Sequence, residues 1–233
     1  MQKKVTILVF VFLALVVLPD TIRKARAQEN PYPAMAPLEQ YLMPKDAEIA
    51  LARSAAPASI AGDATVMVLE RQGYTTAVQG KNGFLCYVER SWAEVTTAAN
   101  FWNPKVRSPN CFNAAAAGSV APIYLMKTRL VLAGKSKAEI AQRVAAALDS
   151  GELPALAPGS MCYMMSKEQY LNDQAHNWHP HVMFYAKGDA VKSWGANLPN
   201  SPMMALSDPE ARVTTFMIMV HDWSDGTTGP AMN

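Results

Sequence analysis

Three of the chain's four histidines fall within six residues, His176-Asn177-Trp178-His179-Pro180-His181. The residues that follow, Val182 to Tyr185, are strand formers. Pro180 pushes His179 out of the helical region, so residues 179–186 read as extended. In a strand, side chains at i and i+2 share a face with their α-carbons roughly 6.5 Å apart, so His179 and His181 could both reach one ion. The fourth histidine, His221, ends a strand-like run that begins at Val213. If the two strands pair antiparallel, the end of one lies beside the start of the other. His179, His181 and His221 then converge as three imidazoles with an open fourth position, the pattern of a catalytic zinc whose bound water is acidified towards neutral pH and supports hydrolysis. His176 is an outer candidate, and Asp222 or Glu168 could orient a ligand or act as base. Between Trp178, Pro180 and Tyr185 the same imidazoles also suit packed, hydrogen-bonded positions.

Sulfur offers an alternative. Met217, Met219 and His221 alternate on one face of their strand, and Cys162 and Met164 do so on theirs. Thioether, thiol and imidazole together suit monovalent copper, whereas a methionine row is otherwise core filling. Cys162 paired with a histidine would make a cysteine nucleophile, but its apolar strand is where a structural thiol is expected. Trp178, and Trp194 in the loop 193–202, are candidate stacking faces for a ligand.

The elements that must position these groups begin after a leader. Lys3 and Lys4, the apolar run Val5–Leu18 and Ala25-Arg26-Ala27 predict a secretory signal peptide over residues 1–27, so the chain is expected to be exported, periplasmic or secreted, with no membrane span after cleavage. Removing it takes five basic residues and one acidic residue from totals of 21 and 19, leaving 16 and 18. The mature charge is therefore slightly negative, which disfavours nucleic acid and leaves a small molecule or an envelope component as partner. Export permits one disulfide among Cys86, Cys111 and Cys162; Cys86 with Cys111 is favoured, and three buried thiols are the alternative.

Four prolines make residues 28–44 an extended lead-in. Asp46 is expected to cap a short helix ending before Pro57, closing a lead-in region of residues 28–63. Strands are expected at 64–70, 74–78 and 84–90 as an antiparallel meander, followed by an irregular connection over 91–117. Pro122 opens a helix, with a strand as the competing assignment. Ser136-Lys137-Ala138-Glu139 is a capping box for a second helix that Gly151 stops, and the two are expected to form a hairpin. Further strands are expected at 161–166, 181–186 and 213–221. Residues 64–233 thus predict one α+β domain with a mainly antiparallel sheet and a helical hairpin.

The segments Gly159 to Ser166, Trp178 to Tyr185 and Trp194 to Pro202 resemble a family of uncharacterised exported bacterial proteins. That resemblance implies one exported domain and carries no activity with it.

Overall fold

The computed structural model describes residues 30–231. The expected signal peptide lies outside the described residues. Eight strands form one mixed sheet: β1 (Thr65–Glu70), β2 (Gly73–Val78), β3 (Leu85–Glu89), β4 (Ser108–Phe112), β5 (Met161–Met164), β6 (His181–Lys187), β7 (Met203–Asp208) and β8 (Val213–Met219). Their spatial order is β2-β1-β3-β4-β5-β6-β8-β7. Among the described residues five α-helices accompany them: α1 (Lys45–Arg53), α2 (Ala58–Ala61), α3 (Ala114–Ser119), α4 (Ala121–Leu132) and α5 (Lys137–Ser150). The class is α+β.

Strand alternation explains how the sheet is covered. Val66, Cys86, Val88 and Cys111 point to one face and pack with Leu51, Ala52 and Ala61 from α1 and α2. Tyr87, Phe112, Cys162 and Tyr185 belong to the opposite face and pack with Ile123 and Met126 of α4 and Val144 of α5. At the far end, Phe216 and Ala205 pack beneath Ala196 of the 188–202 loop.

Several local expectations are corrected. β3 does not close a meander: it pairs with the free side of β1, in parallel. The backbone explains this, because the N–H groups of Lys81 and Asn82 donate to Asp63 O and fold the 79–84 turn beneath the start of β1. Residues 91–117 are not wholly irregular, since they contain β4 and the start of α3. α1 starts after Pro44, which leaves Asp46 in its first turn rather than at its cap. The segment beginning at Pro122 is helical, as α4.

The capping box is present as read. Ser136 Oγ accepts the Glu139 N–H, the Glu139 carboxylate accepts the Ser136 N–H at 2.8 Å, and Gly151 closes α5 in the left-handed region at φ 75°. Ser136→Ala is therefore expected to cost about 1 kcal/mol in urea denaturation, with little change in slope.

Cys86 and Cys111 sit directly opposite one another on β3 and β4 and are joined by a disulfide. In the chain-entropy view that link contributes about 3 kcal/mol by restricting the unfolded chain. Among the described residues no helix is long and apolar enough to cross a membrane.

Candidate functional site

β6 and β8 pair antiparallel over seven residue pairs, from His181↔Met219 to Lys187↔Val213. The ladder runs one step further through the Val220 N–H, which donates to Pro180 O at 2.9 Å. β8 itself ends at Met219, so His221 lies beyond the strand rather than at its last position.

The four histidines occupy different environments. His181 is 1 % exposed. Its Nδ1–H donates to the His179 carbonyl at 2.7 Å, which fixes the tautomer and leaves Nε2 with a free lone pair. Burial pushes its pKa down to about 4, so the ring is neutral at physiological pH. The indole of Trp178 meets the His181 ring edge-on at 5.0 Å and the His179 ring at 5.7 Å. His179 is half-buried, and its Nδ1 is enclosed without a partner. His221 is exposed and holds the Asp222 carboxylate through Nδ1 at 2.7 Å. His176 adopts φ 47° in the preceding loop, with its ring against Tyr170 at 5.0 Å. Among the described residues no group of three or more His, Cys, Asp or Glu side chains stands where it could hold one ion.

What the register does bring together is imidazole and thioether. Met164 on β5 lies directly opposite His181, and Met219 on β8 lies directly opposite it on the other side. One step along the sheet, Cys162, Met183, Met217 and Met204 form a second cross-strand row. Directly opposed side chains have β-carbons about 4.5–5.5 Å apart, within easy reach of a methionine sulfur. Both rows share one face because their members are two residues apart on each strand. Met164 is 6 % exposed, Met217 9 % and Met204 41 %, while Met183 and Met219 are half-buried.

The Cys162 thiol is buried within 3.1 Å of the Tyr185 hydroxyl. Burial raises its pKa well above the usual thiol range, which suits a structural group rather than a nucleophile. Trp194 stacks on Phe216 at 4.3 Å while remaining half exposed. Beside it the Asn197 side chain accepts the Ala205 N–H at 2.9 Å and donates to Ala205 O at 2.8 Å. The 188–202 loop thereby covers outward-facing backbone groups of β7, the outermost strand, and protects that edge from pairing with another chain. A groove over α4 and α5, lined by Leu130, Lys135, Glu139 and Arg143, contains none of the histidines.

Sequence reasoning paired Met217 with Met219 and Cys162 with Met164, but it did not place Met164 and Met219 on either side of His181. Strand register alone determines that adjacency. No family description, curated protein or solved structure matches the chain.

Proposed function

We propose that the chain is an exported, non-catalytic binding protein for a soft monovalent metal, copper(I) being the natural candidate, held by His181 Nε2 with the thioethers of Met164 and Met219. One observation carries this: His181 stands in direct register between two methionines on its neighbouring strands. Soft sulfur with one neutral imidazole is a donor set for monovalent copper, not for zinc or magnesium. A histidine that binds metal commonly donates its other ring N–H to a carbonyl or carboxylate, as His181 does to His179 O. Trp178 sits against the imidazole, where an indole adds cation–π attraction for a positive ion. In this proposal α4 and α5 form a helical hairpin that covers the same sheet face at its other end and leaves the β8–β7 end open.

Hydrolysis at a zinc held by His179, His181 and His221 is the competing proposal, and one experiment separates the two. Mature protein carrying Cys162→Ala, which removes the free thiol, is titrated with silver(I) and separately with zinc. Stoichiometric silver binding that falls at least 100-fold in His181→Ala and in the double Met164→Leu/Met219→Leu variant, but not in His221→Ala, is the expected result. Zinc binding lost in His221→Ala, accompanied by ester or phosphoester hydrolysis, would replace it with the catalytic assignment.

A further inference from the structure

A metal held at His181 is approached from the β8 side, because His181 and Met164 are almost fully enclosed, at 1 % and 6 % exposed, whereas Met219 is half-buried. We propose that the second row, Met183, Met217 and Met204, is the route by which a soft monovalent ion passes between the sheet edge and His181, which presupposes metal binding at His181.

The route is laid out by register. Met204 lies on β7, the outermost strand, and is 41 % exposed. It faces Met217 directly, and Met217 faces Met183 directly. Met217 is two residues from Met219, and Met183 two residues from His181, so each shares a sheet face with a proposed ligand one step along its own strand. An ion taken up at Met204 can move to Met217 and then to Met219 or Met183 without leaving soft donors. Each hop is ligand substitution: a new sulfur–metal bond forms as the old one breaks, with no change of oxidation state and no proton released, because thioethers are neutral. Methionine suits the task because its unbranched, polarisable side chain can swing between partners.

Route and site are separated by measuring rate and equilibrium together. Silver(I)-loaded Cys162→Ala protein is mixed with excess competing chelator in a stopped-flow instrument, and affinity is measured in parallel. Met204→Leu and Met217→Leu keep volume and apolarity while removing the sulfur. The expected result is release and uptake at least 10-fold slower in each variant, with equilibrium affinity within about twofold of the parent. Unchanged rates in both variants overturn the route and leave the His181 site standing. Affinity that falls together with rate in Met217→Leu makes Met217 a ligand and likewise overturns the route. A parent protein that binds no silver at His181 removes site and route together. Should Met217→Leu fail to fold, the exposed Met204→Leu variant decides alone.

Discussion

Arg90→Met is expected to cost about 3–5 kcal/mol of folding stability, because it strands a charge in the interior. The Arg90 and Glu48 side chains are both fully buried, with Nη2 donating to Oε1 at 2.9 Å. Arg90 Nε also donates to Tyr41 O at 2.7 Å and Nη1 to Val88 O, while Glu48 Oε1 accepts the Leu69 N–H at 3.1 Å. One guanidinium thereby fastens the lead-in, α1 and β3 together, with Glu48 extending the tie to β1. Removing it leaves the Glu48 carboxyl group buried without its ionic partner. A buried pair gains little over apolar residues of similar size, so the double variant Arg90→Met/Glu48→Met should lose less than Arg90→Met alone. Urea denaturation of the disulfide-intact protein measures both. A loss below about 1 kcal/mol for Arg90→Met would mean that Glu48 finds another partner or water.

The parts of this fold that could be read from the sequence are those whose signals are local. α5 carries a capping box at one end and a left-handed glycine at the other, and both appear in the structure. β1, β6 and β8 are continuous runs of strand formers with turn residues beyond them. β4 gave no such signal: Ser108-Pro109-Asn110-Cys111-Phe112 has three turn formers in five residues, and long-range pairing with β3 and β5 makes it a strand. β7 follows Pro202 with a short Met-Met-Ala-Leu run whose strand character comes from β8 beside it. The parallel β1–β3 contact was illegible for the same reason, since a short turn after β2 ordinarily returns the chain antiparallel.

The site divides along the same line. The histidine and methionine positions were visible, and the antiparallel β6–β8 pairing was anticipated. The partner of each side chain depends on register, which no local pattern encodes. His181 pairs with Met164 and Met219, whereas His221 falls past the end of β8 with Asp222 as its neighbour.

Titration should give the protein a stability profile that bends twice. Glu89, at the end of β3, is 9 % exposed, and burial pushes its carboxyl up to about 8 against the opposing effects of the Tyr87 hydroxyl, the Lys127 charge and the Asn110 amide. The folded state holds that proton more tightly than the unfolded chain. Its contribution is therefore complete below about pH 4.5 and is lost progressively as pH rises to about 8, by about 3–5 kcal/mol over the whole range. His181 runs the other way: its folded pKa of about 4 lies below the unfolded value of about 6.5. Its contribution is complete above pH 6.5 and is lost as pH falls towards 4, by about 3 kcal/mol. Between pH 4.5 and 6.5 the two slopes oppose and stability is nearly flat; above pH 6.5 Glu89 acts alone, and the wild type should lose about 2 kcal/mol by pH 8. Glu89→Gln cannot ionise and should hold level through that window in urea denaturation. A variant that keeps the wild-type decline would assign the alkaline loss to another group. The acid limb bears on binding as well, because an imidazole neutral down to about pH 4 keeps its Nε2 lone pair available in mildly acidic surroundings. Silver(I) affinity should accordingly stay constant from pH 8 to about 5 and weaken only below that, whereas a site built on an ordinary exposed histidine would begin to weaken near pH 6.5.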